Sequence, residues 1–151
     1  MLKGINPLLG GDLLKVLDDR GHGDQLLLVD RNYPAASSGR PVVRLGPVDV
    51  ERAAAAILSL LPLDAFVDHP LERMEVQDDP GIVLPHQEQV LALAAAQHPV
   101  PLEFGVVRRS DFYERARRAF AIVHTLEERP YGCFILQKGV VFPEGVRAAG
   151  R

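Results

Sequence analysis

The sequence predicts an α/β fold: one domain built on a mostly parallel sheet with helices on both faces. Two observations carry this expectation. Short apolar runs of strand length alternate along the chain with longer segments of helical spacing, the pattern of a sheet covered on both sides. The chain has 151 residues, the size of one domain, and no linker-like stretch divides it.

Taken in order, residues 12–19 place Leu13, Leu14, Val16 and Leu17 close to one helical stripe, and Gly21 is positioned to end that helix. Residues 25–29 form an apolar run that stops at Asp30, the mark of a short buried strand. Residues 35–41 read as a small-residue loop, 42–43 as a second strand, and 50–61 as an alanine-rich helix closed by Pro62. Short strands are expected at 65–67 and 73–76, and Asp78-Asp79-Pro80-Gly81 has turn chemistry. Residues 85–97 read as a helix with proline in its first turn, and 103–107 as a strand. Ser110 is expected to cap a helix running to Ala119, its hydroxyl accepting from an unpaired backbone N–H. Strands at 121–123 and 134–136 complete the set. The domain is expected to span 1–142, with 143–151 a flexible tail.

Composition narrows the function. The net charge of −3 gives no general attraction for nucleic acid. Cys133 is the only cysteine, so the chain can form neither an internal disulfide nor a cysteine-rich metal site, which fits a reducing compartment. The N-terminus has no signal-peptide core. The longest apolar-rich stretch, 53–63, is broken by Ser59 and Pro62 and is too short to span a bilayer. These features predict a soluble cytoplasmic protein without a membrane partner.

Ligands of open α/β sheets gather beyond the carboxyl ends of the strands. Asp30 stands at one such end and Arg109 just past another. Gly21-His22-Gly23-Asp24 lies between a helix and a strand. It is not a dinucleotide fingerprint, because the glycines precede the strand instead of following it. Two readings remain open locally: a glycine helix stop beside a surface histidine, or an accessible imidazole in a tight turn, titrating near neutrality and able to exchange a proton. His22, His69, His86, His98 and His124 show no paired zinc spacing. The cluster Arg108, Arg109, Arg115, Arg117 and Arg118, with Glu114 interleaved, reads as a solvated helix face with room for a local anion site at its start. Tyr113 and Tyr131 read as core tyrosines with bonded hydroxyls.

Several blocks taken together resemble the RbsD/FucU family. They are Met1-Leu2-Lys3-Gly4-Ile5-Asn6-Pro7-Leu8-Leu9, then Leu13-Leu14-Lys15-Val16-Leu17, then Gly21-His22-Gly23-Asp24 followed by Asp30 and Tyr33-Pro34-Ala35. Further on come Phe112-Tyr113-Glu114-Arg115-Ala116 and the closing segment from Tyr131-Gly132-Cys133 through Lys138-Gly139-Val140. The resemblance covers residues 1–141 and is weakest over 77–103; its Phe112-to-Ala116 block favours the fucose mutarotase branch.

The resemblance implies an RbsD-like α/β fold in a ring-shaped homo-oligomer, commonly a decamer, with sites near subunit boundaries. It implies an isomerase that interconverts anomers of a free monosaccharide, L-fucose, without metal or organic cofactor. Interconversion of ribose ring forms, or monosaccharide binding without turnover, are the alternatives. In this resemblance His22 is the proton donor, and Asp30, Arg109, Tyr131, Gly132 and Cys133 hold the sugar. Cys133 stands where the family usually has asparagine, exchanging an amide for a thiol that is a weak donor and acceptor.

Overall fold

The structure, a computed structural model, describes residues 2–143. The tail expected over 143–151 therefore lies, from 144 onward, outside the described residues. Among the described residues six strands form one sheet: β1 (Gln25–Val29), β2 (Val42–Gly46), β3 (Leu71–Met74), β4 (Gly105–Val107), β5 (Ala121–Thr125) and β6 (Phe134–Gln137). Their spatial order is β2-β5-β1-β6-β3-β4. The pairs β2/β5, β1/β5 and β3/β4 are parallel, and β6 alone runs antiparallel, against β1 and β3. The α/β fold with a mostly parallel sheet is the one expected.

Alternation along the central strands explains the two layers, because successive side chains leave a strand on opposite faces. In β1, Leu26 and Leu28 point to one core cluster, and Leu27 and Val29 to another. Ala121 and Val123 against Ile122 do the same in β5, as do Phe134 and Leu136 against Ile135 in β6. The first cluster is covered by α1 (Gly11–Asp19), α2 (Val50–Leu58) and α3 (Pro85–Ala95). The second is covered by α4 (Arg109–Ala116) and the 3-10 turn Ala35–Ser38. Helices this short are marginal alone and depend on their buried face. For α4 that face is Phe112 and Ala116. Burial of Phe112, roughly 2–3 kcal/mol, seats the helix that begins with Arg109.

Several boundaries differ from the sequence expectation for local reasons. Helix α2 ends at Leu58, short of residue 61, where the Ser59 hydroxyl donates to the Ala56 carbonyl at 2.7 Å. Residues 65–67 form a turn, not a strand, because the Asp64 carboxylate accepts the Phe66 N–H at 3.0 Å, a bond typical of Asx turns. Strand β3 occupies Leu71–Met74 instead of 73–76, and Val76 bridges to Asp79 around the expected turn. Ser110 is not the cap of α4. The helix starts two residues earlier, after Arg108, and the Ser110 hydroxyl donates to Asp111. No helix among the described residues is long and apolar enough to cross a membrane.

Candidate functional site

Polar groups gather at both ends of the sheet. At the amino end of β1, the Gly21-to-Asp24 turn is closed by the Asp24 carboxylate, which accepts the Gly21 N–H at 2.8 Å. Gly23 takes φ +86°, a left-handed backbone that favours glycine, and its N–H donates to the Lys138 carbonyl at 2.8 Å. The left-handed residue is thus Gly23, not the helix-ending Gly21. The Lys138 ammonium donates to the Leu17 and Asp18 carbonyls at 2.9 and 3.2 Å and also to that of Arg20. It satisfies the orphan carbonyls of α1 with the charge that suits a helix C-terminus.

Held by this turn, His22 is half-exposed, and its Nε2 lies 3.0 Å from Asp64 Oδ2. Asp64 is 1% exposed and also accepts from Gln137 Nε2 at 3.0 Å. Burial alone pushes the Asp64 carboxyl upward. The bonds from the Phe66 N–H, Gln137 and His22 outweigh burial and hold it below the usual carboxylate range. An ionised carboxylate only accepts, so it fixes the hydrogen of His22 on Nε2 and leaves Nδ1 for chemistry. The His22 ring packs at 5.8 Å from that of Phe66.

At the carboxyl end of β1, Asp30 is 5% exposed. Its Oδ1 accepts the Asn32 N–H at 3.0 Å and its Oδ2 faces Cys133 Sγ at 3.5 Å. Because β6 runs antiparallel, its start lies here, bringing Tyr131, Gly132 and Cys133 beside Asp30. Gly132 packs closely there: a Cβ would stand 3.2 Å from Glu127, 3.3 Å from Val50 and 3.4 Å from Asp30, so these side chains would have to give by a few tenths of an ångström. Tyr131 holds φ +63°, a left-handed conformation unusual for a bulky residue. Burial, with the Asp30 charge beside it, drives the Cys133 thiol well above its ordinary value, so the sulfur stays protonated. Cys133 thus turns inward to Asp30, and the residue is 2% exposed.

Glu127 braces the same end. Its carboxylate accepts from the Val50 N–H at 3.2 Å and from Arg129 Nε at 2.8 Å, and Arg129 also reaches Glu51 at 2.6 Å. Chiefly through the Arg129 side-chain bonds, Glu127 is pulled down to about 2. Arg109 lies on the adjoining edge, in an open cleft of about 790 Å³ lined also by Glu75, Asp78, Arg108 and Tyr113. The Tyr113 ring stacks on Tyr33 at 5.4 Å, and the Tyr33 N–H donates to the Asp30 carbonyl, which ties this cleft to the Asp30 end. Tyr113 thus stands at the cleft wall and not in the core.

The sequence-derived residues therefore fall into two groups. Asp30, Tyr131, Gly132 and Cys133 come together, with Arg109 nearby, whereas His22 lies at the other end of β1. The five-residue strand β1 alone puts about 13 Å between the two ends. Asp64 and Gln137, which orient His22, escaped the sequence reading. Asp64 is 42 residues from His22, and no local motif marks it.

Fold and site define an α/β protein with polar groups arranged beyond its strand ends to hold a small polar molecule. The model of the RbsD / FucU transport protein family matches residues 3–141, and the chain belongs to this family. It is 39% identical over 141 residues to the L-fucose mutarotase of Glaesserella parasuis serovar 5, covering 93% of this chain and 96% of that one. It is 37% identical over 149 residues to the fucose mutarotase of Homo sapiens, covering 93% and 94%. Among solved structures, the fucose mutarotase from Streptococcus pneumoniae in complex with L-fucose is similar, with a TM-score of 0.83 and 39% identity, covering 93% of this chain and 100% of that one.

Proposed function

We propose that this chain is an L-fucose mutarotase, an isomerase that interconverts the α and β anomers of the free sugar by acid/base-assisted ring opening. The observation that carries the reading is near-complete coverage by relatives with that activity, one of them solved with L-fucose bound. The residues supply suitable chemistry. Ring opening adds a proton to the ring oxygen, takes one from the anomeric hydroxyl and breaks the bond from the anomeric carbon to the ring oxygen. The aldehyde rotates and closes on either face with the protons returned, so there is no net change in composition.

His22 in its imidazolium form donates from Nδ1 while Asp64 holds Nε2–H. A positioned acid of this kind contributes about 10²–10⁴ in rate. Asp30 accepts hydroxyl bonds, Arg109 donates them, and the 131–133 segment offers backbone groups and the Tyr131 ring. Charge-assisted bonds of this sort are roughly twice as strong as neutral ones.

The separation of His22 from Asp30 supports a site assembled between two copies of the chain. The proposal therefore includes a homo-oligomer, a decamer in the form the resemblance implies, with residues 1–142 as its unit. Its lone thiol fits the cytoplasm. A second reading, a monosaccharide-binding protein without turnover, draws on Cys133, which gives its hydrogen to Asp30 rather than to a ligand.

Saturation-transfer NMR on equilibrated L-fucose tests these readings. Catalysed exchange between anomer signals, abolished in His22→Ala, is the expected result. Exchange confined to ribose ring forms transfers the activity to the ribose alternative. Sugar-perturbed protein spectra without exchange leave the binding protein.

A further inference from the structure

The 131–133 segment carries a strained Tyr131, and something must hold it there. The holding group comes from the first turn of α3, where Pro85 occupies the opening helical position. Gln87 is 0% exposed and its side-chain amide is fully engaged. Its Oε1 accepts the Leu84 N–H at 3.1 Å, and its Nε2 donates to the Met74 carbonyl at 3.2 Å and the Tyr131 carbonyl at 3.0 Å. One side chain thus ties the start of α3, the end of β3 and the left-handed Tyr131 together. Met74 closes the loop, its N–H donating to the Cys133 carbonyl at 3.0 Å.

The preceding residue acts alongside. His86 is 3% exposed, and its Nε2 lies 3.1 Å from the Pro130 carbonyl. Two consecutive side chains of α3 therefore hold two consecutive carbonyls of the loop. A non-glycine residue in the left-handed region persists only where its surroundings over-determine it, and at Tyr131 these bonds do so.

We propose that Gln87 is a positioning residue for substrate binding, acting through the backbone of Tyr131 and Cys133 rather than on the sugar or the migrating proton. The inference rests on the reading of 131–133 as sugar-binding. A positioning residue for binding changes affinity and leaves the chemical step alone, so its removal raises KM with kcat preserved.

Two variants of similar size test this. Gln87→Met removes both donors and the acceptor. Gln87→Glu keeps the acceptor for Leu84 and, carrying a proton at this fully buried position, one donor in place of two, and it keeps the comparison open should Gln87→Met not fold. Anomer exchange is measured against L-fucose concentration by saturation-transfer NMR, and melting temperatures and L-fucose Kd values are taken in parallel. The expected result is a KM and Kd about tenfold higher in Gln87→Met, with a smaller rise in Gln87→Glu and kcat within about twofold of the parent. Folded variants with unchanged KM and Kd, or a loss confined to kcat, overturn the proposal. If the parent binds L-fucose but shows no exchange, the mutarotase reading fails while Kd still decides the role of Gln87. If the parent does not bind L-fucose, both fall.

Discussion

Gly139→Ala is the most informative single perturbation of the His22 end. Gly139 follows β6 and faces the 63–64 backbone. A Cβ there would meet the Leu63 carbonyl oxygen at 2.6 Å and Asp64 Cα at 2.7 Å. Ordinary contact begins at 3.4 Å, so the backbone that carries Asp64 must retreat by about 0.8 Å. Overpacking of this kind costs about 1–3 kcal/mol. For a domain of this size each kcal/mol lowers Tm by about 2–4 °C, which predicts a drop of roughly 2–12 °C. The retreat also pulls Asp64 from His22 Nε2, now 3.0 Å away. A misplacement near 1 Å can cost about 10²-fold in rate, so anomer exchange should fall roughly 10–100-fold. Differential scanning calorimetry reads the first effect and saturation-transfer NMR the second. A Tm within 1 °C of the parent together with exchange within about twofold refutes the packing argument.

Asp64→Asn removes the ionised partner of His22 while keeping its shape. Exchange should drop about 10–100-fold, with far-UV circular dichroism unchanged, since a bond to a charged group is worth about 1.5–3 kcal/mol. The Glu127 carboxyl, ordinarily near 4.5, is held at about 2 in the fold, so the unfolded chain takes up its proton first. Its contribution, about 3 kcal/mol, is present above pH 4.5 and lost as pH falls toward 2. Urea unfolding of Glu127→Gln should show lower stability at pH 7 and a flatter acid limb; a parallel acid limb contradicts the assignment. Cys133, 2% exposed and held as the thiol, should resist iodoacetamide in the native protein and react promptly in urea. Equal rates in the two states would show an open thiol.

The layers were legible because periodicity reports burial. The apolar run 25–29 is β1 as observed, and Pro85 marks the start of α3. Strand direction was not legible. Phe134, Ile135 and Leu136 are buried on both faces whichever way β6 runs, so the antiparallel strand leaves no trace in the pattern. The same limit hid Asp64, which reaches His22 only because Leu63 bridges to Lys138 at the end of β6. Gln87 was hidden for another reason: its value lies in two carbonyls of distant segments, and a carbonyl leaves no mark in the sequence. The separation of His22 from Asp30 did have a signal. His22 precedes β1 and Asp30 follows it, so a straight strand keeps them apart.

That lone reversed strand has a genetic consequence. Running against its neighbours, β6 begins beside Asp30 and ends beside the His22 turn, so under the proposed two-chain site each chain would offer one half-site at either end. In an assembly built on such halves, every chain would serve two sites. Chains crippled in opposite halves should then rescue one another. Co-expressed His22→Ala and Asp30→Ala chains, each inactive alone, would form intact sites wherever the right halves meet, roughly a quarter of them at equal mixing. Halves that met within a single chain would allow no such rescue.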